Sequence, residues 1–242
     1  KELYEDVIKK YSLKQITESY NIFPQPYLIT SIWDYQYIID EKKKIGATQY
    51  GFDMEKLFTV SKDSNNKYTN QFENQMGVEN IIRYYFGEPD TDKDYQIQHM
   101  TKHRGIIPRI NKICQNKCRT MQINNKPTSQ LWFMPYGQQR PIKNVVEALL
   151  TLIDNRFESI AKDYFFYVAL DEKSATYKNV KVQYMDGTIK KHIESIEKDI
   201  TDGKITQSNL IILAGARLQL GISLKNVDIV TLWNNITSSD AI

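Results

Sequence analysis

Cysteine is nearly absent. Cys114 and Cys118 are the only two in 242 residues and stand four apart in a lysine- and asparagine-rich stretch, which excludes a disulfide framework and suits a reducing compartment. Also missing is any run of roughly 18 apolar residues that would span a bilayer, and Lys1-Glu2-Leu3-Tyr4-Glu5-Asp6 lacks the apolar core of a signal peptide. The expectation is an intracellular protein with no membrane partner. Charge of one sign is lacking as well: 32 basic and 29 acidic residues leave +3, so overall charge indicates neither a polyanionic partner nor an acidic substrate. Any binding patch has to be local. Histidine is scarce, with three, and no Gly-x-Ser-x-Gly turn occurs, so no nucleophilic triad is assigned and no carboxylate pair is singled out as acid and base.

What remains is an ordinary globular composition, 41% apolar and 25% charged, enough for one large domain or two small ones. The wealth of Lys, Asn, Ile and Tyr suggests an AT-rich coding genome. Leu3, Val7, Ile8 and Tyr11 recur at helical spacing until Pro24 and Pro26, and Tyr27 to Trp33 has the β-branched and aromatic content of a strand. Residues 1–40 are read as a connection with a possible first strand. Asp40 to Lys67 is polar, with loop-like Ser61 to Lys67, and reads as surface connections. Asn70 to Phe86 and Ile106 to Met121 have helical patterns, parted by Gly87-Glu88-Pro89-Asp90. Residues 41–128 are therefore expected to be a mainly helical insertion.

The pattern changes after Pro127. Gln130 to Pro135 is a short apolar run, Ile142 to Ile160 an amphipathic helix, Asp163 to Leu170 an apolar strand and Lys178 to Met185 a strand or edge segment. Ile189 to Ile200 is a second helix, and Asn209 to Leu213 and Asp228 to Trp233 are further strands. Apolar strands alternating with amphipathic helices predict an α/β fold, a parallel sheet with helices on both faces, over residues 129–242.

Within it, the strand ending at Leu213 runs into Ala214-Gly215-Ala216-Arg217-Leu218-Gln219-Leu220-Gly221-Ile222-Ser223-Leu224, followed by the strand Val227 to Asn234. Small residues at the end of a parallel strand let a phosphodiester approach main-chain N–H groups, where open α/β sheets place their ligands. Arg217 is suited to a phosphate, and the Ser223 hydroxyl to a ribose or a carboxylate. This stretch resembles motif V of superfamily 2 helicases, and Ser129 to Gly137 is similar to their motif IV. The helicase-like ATPases of large DNA viruses look similar in composition and in the Ser238-Ser239-Asp240-Ala241 ending.

The resemblance implies a RecA-like carboxyl-terminal lobe of an ATP-dependent helicase or translocase, with single-stranded or duplex DNA or RNA as partner. It implies nucleic-acid contacts from Pro135, Tyr136, Gly137, Gly215, Ala216 and Arg217, and an ATP-side contribution from Gly221 and Ser223. Arg140 or Lys143 would meet a phosphate at the helix start. The sequence departs from the family pattern where Gly215 replaces a hydroxyl residue and Ser223 an aspartate, so backbone contacts are expected in place of side-chain ones. No Gly-x-x-x-x-Gly-Lys-Ser/Thr loop occurs. ATP and Mg²⁺ would therefore belong to the full-length protein, with a first RecA-like lobe as the missing partner and motif VI beyond Ile242; the fragment alone is expected to hydrolyse nothing. A viral protein would place it in the cytoplasm or virion.

Two other readings stay open: a non-catalytic nucleic-acid- or protein-binding α/β domain, and a nucleotide-binding enzyme of another doubly wound family. His99, His103, Cys114 and Cys118 form two i, i+4 pairs compatible with zinc or with a plain helix carrying small apolar cysteines, and no metal ligand is assigned. Lys102, His103, Arg104, Arg109, Lys112, Lys117 and Arg119 are either a backbone-following stretch or a solvated helix face.

Overall fold

A computed structural model of the chain describes residues 47–48, 51–88, 105–108, 110, 128–135, 141–170, 176–185, 188–215, 224 and 227–233. The expected first helix and the Tyr27–Trp33 strand lie outside them. So do nearly all of Ile106–Met121, both cysteines and the His99–His103 pair.

The described chain opens with a short hairpin, β1 (Ala47–Thr48) and β2 (Gly51–Phe52), then α1 (Met54–Leu57), and a second hairpin, β3 (Val60–Lys62) and β4 (Tyr68–Phe72). Of the loop-like Ser61–Lys67 segment, Ser61 and Lys62 end β3 and Asp63 to Lys67 form the turn of this second hairpin. Asp63 Oδ1 accepts from the amides of Asn65 and Lys67, both at 2.9 Å, and Asn66 takes the left-handed conformation at φ 60° that its short polar side chain tolerates. Helix therefore does not dominate residues 47–72, where local side-chain bonds to backbone favour turns. The first long helix is α2 (Gln75–Phe86), capped by Asn74 through the Gly77 amide and ended by Gly87 at φ 73°.

From residue 129 the expected alternation is present: β5 (Ser129–Phe133), α3 (Ile142–Arg156), α4 (Glu158–Asp163), β6 (Tyr164–Val168), β7 (Lys181–Tyr184), α5 (Ile189–Thr201), β8 (Asn209–Ala214) and β9 (Ile229–Leu232). The five strands form one all-parallel sheet in the order β7-β6-β8-β5-β9, with β7 at an edge. The helix read as Ile142–Ile160 is two helices. The chain bends at buried Phe157 (φ −129°, ψ 64°), over whose ring the Arg83 guanidinium lies at 5.0 Å.

Strand alternation sends side chains to two faces. Leu131, Tyr167, Leu210, Ile212 and Ala214 share a core with Ile193, Ile196 and Ile200 of α5, and Leu224 and Val227 of the β8–β9 connection pack against the same core. Each buried isoleucine there is worth roughly 1.5–3 kcal/mol of transfer free energy. The opposite face carries Gln130, Trp132, Tyr164 and Thr231 beneath α2. The Tyr85 hydroxyl hydrogen-bonds Gln130 at 3.0 Å and Thr231 at 2.6 Å, and its ring meets Trp132 and Trp233 at 5.0 and 5.2 Å. Phe58 bridges Phe72 of the hairpin and Trp233 of the sheet. Glu79 of α2 holds Arg83 at 2.7 Å and reaches Arg156 of α3 at 3.8 Å.

The domain is thus α/β with helices on both faces, the class to which RecA-like lobes belong. The described part of the expected insertion, α2 and the β3–β4 hairpin, is built into one of its layers. Among the described residues, no helix is long and apolar enough to cross a membrane.

Candidate functional site at the carboxyl edge of the sheet

The two edges of the sheet differ in how they are closed. At the amino edge, strand starts are tied to one another by short polar bonds. The Ser129 amide donates to Asp228 Oδ2 at 2.9 Å, the Asp228 amide to the Ser129 carbonyl at 2.8 Å, the Thr128 amide to Asn209 Oδ1 at 3.2 Å, and the Ser129 hydroxyl to the buried Glu197 carboxylate at 2.8 Å. At the carboxyl edge the main-chain ladder continues one residue past the strands. The amides of Met134, Ala169, Met185 and Trp233 donate to the carbonyls of Ala214, Leu213, Val168 and Phe133, each at 2.9 Å.

This edge brings two of the sequence-singled segments together. β5 and β8 are neighbours at the sheet centre, and Phe133 is the register partner of Ala214, so Pro135 and Gly215 leave adjacent strands at the same level. Chain direction makes the juxtaposition a switch point. From β5 the chain crosses over β8 to reach β6 by way of α3 and α4, whereas from β8 it crosses over β5 to β9 on the α5 face. Oppositely directed crossovers on opposite faces leave a crevice outside the strand ends, the usual ligand position in open α/β sheets.

Pro135 is buried and so offers little surface to a ligand. Gly215 is half-buried, and a Cβ added to it would lie 2.6 Å from Ile142 Cδ1, the first residue of α3. Tyr136, Gly137, Ala216, Arg217, Gly221 and Ser223 lie outside the described residues, as does Arg140. Lys143, in the first turn of α3, is half-buried and among the described residues.

The sequence reading passed over one feature of this edge. The first turn of α5 carries Lys190, Lys191 and His192 and no acid, and Thr188 before it makes no side-chain cap bond. His192 Nδ1 sits 3.4 Å from the hydroxyl of Tyr167, near the end of β6, which fixes this turn over the carboxyl edge. Cations at a helix amino terminus oppose its dipole, so local helix energetics do not account for them. The signal was present as Lys190-Lys191-His192, but only the strand order assigns the turn to this edge. Asp171-Glu172, a carboxylate pair that follows β6 in the sequence, lies outside the described residues. Among the described residues, no three His, Cys, Asp or Glu side chains converge to hold a metal ion.

Geometry and topology define a doubly wound α/β domain. Comparison of the chain with protein-family models, with curated proteins and with solved structures finds no match.

Proposed function

We propose that this chain is the second lobe of an ATP-dependent nucleic-acid helicase or translocase, and that its carboxyl sheet edge holds the backbone of the polymer. The observation that supports the reading is the register of β5 and β8, which pairs Phe133 with Ala214 and so brings Pro135 and Gly215 out of adjacent strands at one level. Each belongs to a stretch that resembles one of motifs IV and V. Lys190 and Lys191 add local positive charge to an edge of a chain whose overall charge is close to balanced. Contacts of this kind fall on phosphates, tolerate sequence and weaken with salt.

ATP and Mg²⁺ enter this reading only through the whole protein. Gly221 and Ser223, this chain's share of such a site, lie outside the described residues, and no step is derived from them.

The test is fluorescence anisotropy of labelled single-stranded DNA and RNA titrated with the chain at two salt concentrations, with Arg217→Ala alongside. Salt-sensitive binding that the substitution weakens, with a salt slope lower by about 1, supports the reading. Absence of binding to either polymer at low salt rejects the polymer-holding role and favours a protein-docking domain.

A further inference from the structure

A parallel sheet is buried on both faces, and the crossover helices of its own strands ordinarily do the covering. Along β5 and β9 the cover comes from elsewhere. From β5 the chain passes over β8 to reach β6, and from β8 it reaches β9 on the α5 face, where Leu224 and Val227 pack. On the other face Trp132 of β5 and Trp233 at the end of β9, 0% and 3% exposed, lie beneath α2, a helix that precedes the whole sheet in the chain. From Gly77 to Phe86 every residue of α2 except Glu79 is buried, and Glu79 is paired with Arg83. A helix buried round its whole circumference belongs to a core. The fit is also specific. Gln130 and Thr231 are polar residues under α2, and the Tyr85 hydroxyl meets both, at 3.0 and 2.6 Å, while Gln130 Oε1 also takes the Trp132 indole at 3.0 Å. At the flank, β3 and β4 pack against α3, and Arg83 lies over Phe157.

We infer that α2 is an obligatory layer of the sheet domain, locked to β5 and β9 through Tyr85, so that the described residues from Met54 to Glu88 and from Thr128 to Trp233 unfold as one cooperative unit. The change of sequence pattern after Pro127 is then no boundary of the folding unit, and α2 does not swing as a separate insertion over the sheet. A chain cut at residue 129 would bare Trp132 and Trp233. None of this depends on whether the chain holds nucleic acid.

The test is native-state hydrogen exchange on the whole chain, read separately for the amides of Ile81 to Phe86 in α2 and of Leu210 to Leu213 in β8, at rising denaturant short of unfolding. One cooperative unit predicts protection factors within about tenfold of each other and the same dependence on denaturant. Tyr85→Phe should then lower protection in both segments by a common factor, about five- to thirtyfold. Because the bonded partners of Tyr85 lie on β5 and β9, an effect confined to its surroundings would leave β8 unchanged. Amides of α2 that exchange more than about tenfold faster than those of β8, or a Tyr85→Phe loss of protection found in α2 alone, overturn the inference and make α2 a separately opening element. The wild-type comparison decides by itself if the variant fails to fold.

Discussion

The carboxylate of Asp154 accepts the main-chain amide of Asn179 at 2.6 Å. It also accepts those of Val180 at 2.9 Å and Lys178 at 3.2 Å, while the Asn179 side chain returns a bond to the Asp154 carbonyl at 2.9 Å. One side chain near the end of α3 thereby shapes the approach to edge strand β7. Asp154→Ala is expected to lower stability by roughly 2 kcal/mol, the scale of charge-assisted bonds lost at a partly buried site. Chemical denaturation of the wild type and the variant measures it; a change under about 0.5 kcal/mol rejects the role.

The same contact gives an acid-side dependence. Burial pushes the Asp154 carboxyl up, but the three amide donors and the Lys178 charge outweigh it, and the net shift is below the ordinary aspartate value. A folded-state pKa below the unfolded one means stability that is present above the unfolded value and lost as pH falls through the folded one. Denaturation midpoints taken from pH 6 down to the carboxylate range of about 4 and below should converge for wild type and Asp154→Asn; parallel profiles would sink the idea.

Tyr85 gives the alkaline counterpart. Burial pushes its hydroxyl up to about 12, against which its bonds to Thr231 and Trp132 pull only in part. Because the folded state holds the proton more tightly, the contribution is complete below the unfolded value of 10.0 and fades as pH rises towards 12. Tyr164, also raised by burial, adds to the same slope. Tyr85→Phe should cost about 1–2 kcal/mol at neutral pH through the loss of its bonds to buried Gln130, which keeps the Trp132 indole donor, and to half-buried Thr231. It should also flatten, without abolishing, the loss of stability between pH 10 and 12. An unchanged alkaline profile counts against the assignment.

The strands and helices after residue 128 were legible because their apolar residues report burial directly: Leu210 to Leu213 and Tyr164 to Val168 are strands of a two-faced sheet and read as continuous apolar runs. The β3–β4 hairpin was not, because Tyr68-Thr69-Asn70-Gln71 packs one side only and its turn rests on Asp63, a side chain whose bonds leave no periodicity. Nor does a pattern announce that Tyr85 belongs to the same core as Trp132 and Trp233, since the contact spans 146 residues to Thr231. At the candidate site, Gly215 was picked out for its smallness; that Ile142 is the reason required the fold. Lys190 and Lys191 read as ordinary helix-surface charge until β7 and β6 fixed which end of the sheet they reach.

Gly105 supplies a stability test of how α2 is closed. A Cβ there would lie 2.4 Å from both Cα and N of Gly87 and 2.9 Å from the Tyr84 carbonyl oxygen. All three are backbone atoms, so no side-chain rotation relieves the clash, and the two glycines pass at main-chain contact beside the helix cap. Gly203 is the control: its φ of 71° strains an alanine, but nothing stands within 4 Å of an added Cβ. Gly203→Ala should therefore cost about 1 kcal/mol, the conformational penalty alone, whereas Gly105→Ala should cost at least about 2–3 kcal/mol by forcing backbone apart. Tyr85 and Phe86 lie directly before the Gly87 cap and against Trp132, so the displacement should also change the tryptophan emission of the folded state. Equal costs for the two alanines, with unaltered emission, would show that the chain at 105 yields freely and that α2 is held by its aromatic face alone.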